Sequence, residues 1–449
     1  MDFPPEELNE YQRFVLRMNP PRINIDNTSC ETATLLTVES SNRHGILLEI
    51  VQALTDLDLN INKAYISSDS GWFMNVFYVT DAAGSKIRDH HIIDFVEKRV
   101  SSCHAFTRGV GLVQPATLSD APKHTIIELT GRDRPGLTSE IFALLAAMGC
   151  NVFAAELWTH NMRIACLLHV SDDVTGGIIK DKEKLQRIKE SLCNVLKGEQ
   201  DPRGARMDFV SGITHTERRL HQMMYADRDY ERDEDDAERD MNGKITVDNC
   251  EEKGYSVLHI ECTNRPKLVF DTVCTLTDMH YVVFHATIDS DEQKSYQEYY
   301  IRHLDGCILN SEAERRRLIK CLWAAIERRA FEGLRLELCT SDRVGLLSEV
   351  TRILREHGLL IARAGVSTTG NNAMDVFYVT SKSGYDVDLR VVEAVKREIG
   401  QAVLKVTPLN QPASPSRATQ PMRSRFSFGT LFGMPSQVLH NLGLIRSHS

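Results

Sequence analysis

The chain has 449 residues, 42% of them hydrophobic and 26% charged, with a formal net charge of −9, which is room for roughly three or four ordinary domains with cores of their own. This composition excludes a fibrous or wholly disordered protein, and the modest acidity gives the body of the chain no strong field toward nucleic acid or an anionic membrane. No run approaches the roughly 20 apolar residues of a membrane span, and eleven cysteines without one C-x-x-C signal neither a zinc site nor a redox pair.

Residues 1–31 read as an N-terminal extension. Its start, MDFPPEELNEYQRF, is acidic and proline-containing, with no basic-then-apolar leader, so the expected location is cytoplasm or nucleus. An ordered pattern follows over 32–114. A short alternating strand, 34-TLLTVES-40, leads through the turn 42-NRHGI-46 into an apolar helix. Then come a second strand, 61-INKAYISSD-69, a tip at 69-DSG-71, a third strand, 73-FMNVFYVTD-81, a second helix opening near 89-DHHIID-94, and a fourth strand at 104-HAFTRGVGLV-113.

The same order returns over 122–212. The strand 124-HTIIELT-130 runs through 131-GRDRPGL-137 into a helix whose Leu137, Ile141, Leu144, Leu145 and Met148 form one buried stripe. The strand 152-VFAAELWTH-160 and the helix 183-EKLQRIKESLCNVL-196 follow, with a fourth strand sought at 206-RMDFVSG-212. Residues 213–253 read as an acidic linker. Its run 227-DRDYERDEDDAERD-240 holds nine acids against three Arg, and dense mixed charge suits a solvated helix or a mobile spacer.

A third copy over 254–332 begins with 257-VLHIECT-263 and the turn 264-NRPKL-268, continues with 282-VVFHATIDS-290 and the helix 313-AERRRLIKCLWAAIERR-329, and shows no fourth strand. A fourth over 333–409 has 334-LRLELCT-340, the turn 342-DRVGL-346, the strands 361-IARAGVSTT-369 and 373-AMDVFYVTS-381, and 402-AVLKVTP-408. Residues 410–449 read as a flexible tail. In it 423-RSRFSF-428 offers Ser427 to a basophilic kinase, and the apolar 431–445 segment is a candidate docking strip.

Strand, helix, two strands, helix, strand is the split β-α-β sandwich, so the fold class is α+β: four ferredoxin-like βαββαβ units with antiparallel sheets, plus the linker and tail. One sheet face per unit is left open. Asn75 and Val76 are expected there, and packing between copies is expected to cover it. The linker divides the chain into a 1–2 pair and a 3–4 pair along the sequence. Which units pack on which, within the chain or in a homodimer, stays open.

The turn [DN]-R-x-G-[LI] between first strand and first helix, found three times in this context and a fourth time with Lys in place of Gly, resembles the ACT domain. Four such units with an acidic linker and a Ser/Arg/Phe-containing tail resemble the ACT-domain-repeat proteins of plants. They are also similar to the glutamine-sensing region of bacterial uridylyltransferases. The resemblance implies amino-acid binding at the turn, with glutamine as the suggested ligand. In physical terms a helix N-terminus welcomes a carboxylate, a glycine lets a ligand approach the backbone, and an acid beside it accepts from an ammonium group. The candidate ligand residues are Asn42, Gly45 and Ile46 in the first turn, Asp133, Pro135, Gly136 and Leu137 in the second, and Asp342, Gly345 and Leu346 in the fourth. Ordinary helix-start chemistry explains the same residues without a ligand. In the third turn Lys267 stands where the others have glycine, and that copy is expected to be structural.

No nucleotidyl-transferase signature, phosphohydrolase His-Asp pair, Walker loop or G-x-S-x-G occurs. The sequence therefore points to a non-catalytic sensor with no cofactor and no metal, acting through a protein partner that it does not identify. The rival reading is an interaction scaffold whose turns bind nothing.

Overall fold

The computed structural model describes residues 22–41, 44–69, 72–103, 124–197, 204–210, 212, 215–231, 243–330, 333–381, 387–400 and 403–408. Asn42, the proposed strand at 104–113, Ser427 and the docking strip lie outside the described residues.

The second and fourth units follow the expected order. In the second, β5 (Thr125–Arg132), α3 (Leu137–Ala147), β6 (Cys150–His160), β7 (Arg163–Asp172), α4 (Lys182–Leu196) and β8 (Arg206–Val210) succeed one another. The fourth repeats this with β13 (Leu334–Ser341), α8 (Leu346–Glu356), β14 (Leu359–Thr369), β15 (Asn372–Ser381), α9 (Leu389–Ile399) and β16 (Leu404–Pro408).

In the other two units the edge strand comes first. The first unit is β1 (Arg22–Asp26), β2 (Thr34–Ser41), α1 (Ile46–Asp56), β3 (Asn60–Asp69), β4 (Trp72–Thr80) and α2 (His90–Cys103). The third is β9 (Gly243–Cys250), β10 (Tyr255–Thr263), α6 (Leu268–Asp278), β11 (Tyr281–Ser290), β12 (Lys294–His303) and α7 (Glu312–Glu327). β1 and β9 lie antiparallel to the unit's first long strand, as β8 and β16 do from the other end of the chain. A strand in that slot needs only the free edge and the direction, so it can come from either side. This explains why no fourth strand follows α7, and it places β1 and β9 inside segments that the sequence reading gave to the extension and the linker.

The pairing of units, which the sequence leaves open, is visible in the sheets. One eight-stranded sheet runs β1-β2-β4-β3-β11-β12-β10-β9, and the other β16-β13-β15-β14-β6-β7-β5-β8. Unit 1 therefore joins unit 3 and unit 2 joins unit 4, rather than 1 with 2 and 3 with 4. The joints are β3 against β11, with Lys63 opposite Asp289, and β6 against β14, with Trp158 opposite Arg363. Each sheet carries its helices as one layer, α1 packing on α6 and α3 on α8. Each pair consequently shares a single apolar core. The fourfold repeat extends to a defect: β3, β6, β11 and β14 each slip register between residues 61/63, 152/154, 283/285 and 361/363, a bulge that re-aims the strand near the turn.

Part of the predicted acidic linker is a helix, α5 (Thr216–Ala226). Its Leu220, Met223 and Met224 pack on Trp158, Ala165 and Leu167. By strand alternation these three face away from the helices of their own sheet, so α5 covers an open sheet face. Asn75, expected on such a face, is instead completely buried on the helix side; Val76 takes the opposite face by alternation and is half-buried.

Candidate functional site

Each unit opens its first helix with a left-handed residue: Gly45 at φ 80°, Gly136 at 89°, Lys267 at 66° and Gly345 at 84°. None of the four helices receives a side-chain cap at this position. The Arg of the motif fixes the turn instead, by reaching the acid six residues on. Arg134 donates to Glu140 at 2.8 Å, Arg265 pairs with Asp271 at 2.7 Å, and Arg343 pairs with Glu349. In the first turn the corresponding acid is Glu49. The backbone closes in parallel, Leu137, Leu268 and Leu346 donating to the carbonyls of Arg134, Arg265 and Arg343. The next two N–H groups of each helix have no acceptor within the helix and carry the positive end of its dipole.

The candidate residues sit at the starts of three different helices. Ile46, Leu137 and Leu346 turn into the cores, so any ligand contact from them is through the backbone. A Cβ on Gly45 or Gly345 would meet nothing within 4 Å, whereas one on Gly136 would lie 2.6 Å from the Arg355 side chain of α8. The second turn, which keeps the fullest motif, is thus covered by its partner unit. Asp133 is half-buried, and burial pushes its carboxyl up to about 7 against the backbone N–H and charge of Arg134. Pro135 is exposed. Asp342 is half-buried, its N–H donating to the Asn371 carbonyl at 2.8 Å.

A cavity of about 470 Å³ lies at the third turn. Asn264, Arg265, Lys267 and the first turn of α6 form one side. Asn60, Asn62 and Lys63 of β3 in unit 1 face them, and Ser290, Asp291 and Glu292 close an end. Asn62 sits at the β3 bulge and donates to Thr80 Oγ1 at 3.3 Å, and Asn60 donates to the Asp81 carbonyl at 3.1 Å. Asn264 pins the 290s hairpin by donating to the Asp291 carbonyl at 2.5 Å. Helix N–H groups, amides and carboxylates therefore converge on one volume, which suits a zwitterion. Lys267 in place of glycine implied a crowded turn, but its ammonium lies 2.9 Å from Glu217 of α5 and the cavity is present beside it.

Behind the groove lies a buried lattice of charge that sequence reasoning missed. Asp271 is completely buried and meets His221 at 2.7 Å, Arg265 at 2.7 Å and Arg329 at 3.1 Å. Burial would raise its pKa, but Arg329 and Arg265 outweigh this and hold the carboxyl well below the usual range. Arg328 forks onto Asp229 at 2.6 Å and meets His221 Nδ1 at 2.8 Å. Asp229 also meets His160 of β6 at 2.9 Å. The readable signal was spacing: the Arg-to-acid interval of six, and Arg328-Arg329 ending an amphipathic helix. Among the described residues no group of three or more His, Cys, Asp or Glu is arranged to hold a metal ion, and no helix is long and apolar enough to cross a membrane.

Paired four-stranded units with two helices on one face and a left-handed turn at the head of the first helix define an ACT-type repeat. Family models agree: the ACR family N-terminal ACT domain matches residues 29–107, and the ACT domain matches 125–187 and 334–397. The chain is 50% identical over its full length, and that of its relative, to the ACT domain-containing protein ACR4 of Arabidopsis thaliana. It is 55% identical to ACR3 of the same plant, covering 88% of this chain and 89% of that one. A bifunctional uridylyltransferase/uridylyl-removing enzyme of Gluconobacter oxydans is 28% identical over 35% of this chain and 19% of its own. The chain belongs to the ACR family of ACT domain-containing proteins.

Proposed function

We propose that the protein is a non-catalytic regulatory sensor of a free amino acid, located in cytoplasm or nucleus, whose ligand occupies the groove between the third turn and β3. The observation that carries this reading is the 470 Å³ groove, where the N-terminus of α6 faces Asn60 and Asn62 of the paired unit. The ligand carboxylate would meet the α6 N–H groups, and its ammonium the amide and carboxylate oxygens at the other side. Because the groove spans the joint between units 1 and 3, occupancy biases how those units pack, and a protein partner reads the difference. Such coupling is at most the ligand's differential affinity for the two packings, typically about 1–3 kcal/mol. The open turns at Gly45 and Gly345 are proposed as further sites, with Asn42, Asp342 and the backbone of Ile46 and Leu346. The second turn, with Asp133, Pro135, Gly136 and Leu137, is a site only if Arg355 moves aside.

A thermal-unfolding screen of the full chain against the twenty amino acids, glutamine included, tests this reading. One ligand should raise the midpoint, and Asn62→Trp, which fills the groove, should abolish the rise. No shift with any of the twenty would support a scaffold whose turns are structural, a reading the covered Gly136 turn favours for unit 2.

A further inference from the structure

Lys267 is the odd member of the four turns. It adopts the left-handed conformation without being glycine, lines the groove, and points its ammonium at an anion belonging to none of the four units. That anion is Glu217, in the first turn of α5, 15% exposed, with one oxygen 2.9 Å from Lys267 Nζ and the other 2.8 Å from Arg329. Burial opposes the charge on Glu217, but Arg329 and Lys267 outweigh it and keep the carboxyl ionised below its ordinary range. Asp58, 3.8 Å from the same ammonium, is the weaker partner.

We propose that Glu217 is a built-in stand-in for the side-chain carboxylate of the ligand, and that the groove takes an acidic amino acid which competes with α5 for Lys267. This rests on the reading of the groove as an amino-acid site and adds the ligand class and the consequence of binding. The α-carboxylate lies on the α6 N–H groups, and the second carboxylate reaches Lys267 at the groove's rim. Glu217 then keeps Arg329 but loses Lys267. Its release loosens the start of α5, which is otherwise held by His215 on Asp56 of unit 1 at 2.8 Å and Arg219 on Glu128 of unit 2 at 2.7 Å. Occupancy in one sheet is thereby felt by the helix that covers the other.

Calorimetric titration of the full chain with L-glutamate and its neutral isostere L-glutamine tests this, with hydrogen exchange of residues 216–226 as second readout. Wild type should bind glutamate about tenfold more tightly than glutamine, the ordinary worth of one charged hydrogen bond. Glu217→Gln should tighten glutamate further and speed exchange of α5 without ligand. Lys267→Met should bring glutamate to the level of glutamine, its unfolding midpoint certifying the fold. Equal binding of both ligands in all three proteins, or slower α5 exchange with glutamate bound, would overturn the competition and leave the amino-acid site standing. Failure of all twenty amino acids to shift wild type or Glu217→Gln would remove both.

Discussion

At the scale of single residues, the third strand shows how one buried position was given four solutions. Asn75, Cys166, Gln297 and Asp375 are equivalent and face the helices. Gln297 is satisfied by Ser295 at 3.0 Å and Tyr299 at 2.7 Å, and Cys166 asks for little. Asp375 is 1% exposed, and neither of its oxygens has a well-formed hydrogen bond. Burial pushes its carboxyl up to about 7; the backbone N–H of Ser367 opposes this and the charge of Asp342 adds to it. Between the ordinary aspartate range and about 7 the folded chain keeps a proton that the unfolded chain has lost, so stability falls as pH rises through that window. Asp375→Asn removes the penalty. Urea unfolding should find the variant more stable by roughly 1–3 kcal/mol at pH 8, with the gain vanishing near pH 4. A gain independent of pH would mean that ionisation is not its source.

At the scale of elements, α5 matters most, and its seating is electrostatic as well as apolar. Arg328→Met strips Asp229 of a two-pronged partner in the interior, and a carboxylate so stranded costs roughly 3–5 kcal/mol. Denaturant midpoints should show that loss, and adding Asp229→Leu should recover much of it. Both histidines of the lattice are buried but titrate in opposite senses. Burial lowers the pKa of His221 despite Asp271, so below about 6.5 the unfolded chain takes up a proton the folded one refuses, and stability falls on acidification. Burial also works against His160, but Asp229 and Glu327 outweigh it and raise its pKa, so its contribution is present at acid pH and fades as pH rises through the folded value. His221→Asn should therefore make the protein less acid-sensitive between pH 7.5 and 5, and His160→Asn more so. Unfolding at the two pH values checks both; identical pH slopes in the two variants would show that neither ring titrates as described.

At the scale of the whole molecule, the limit of what the sequence revealed is a matter of range. The β-α-β-β-α pattern, the four turns and the apolar stripes were legible because strand alternation and helix period are local. The edge strands β1 and β9 were not. RINID and GKITVDNC are short and partly polar, and nothing local says which unit's free edge they fill. The groove at the third turn was not legible for a related reason: the sequence shows that Lys267 is not glycine, but its departure toward Glu217 depends on a helix fifty residues earlier. Which units pair was the least legible feature. The acidic run 227–240 invites a division at the middle, yet β3 joins β11 and β6 joins β14 across it. Each half of the chain therefore owns half of two sheets and half of two cores. Cut between 231 and 243, either half alone exposes the long edges of β3 and β6, or of β11 and β14, and their apolar helix faces, surfaces prone to association. The two halves expressed separately should aggregate or self-pair, while co-expression should yield one soluble complex that co-purifies at the mass of the intact chain. Two independently folded, monomeric halves would mean that the interleaved joints are not what holds the molecule together.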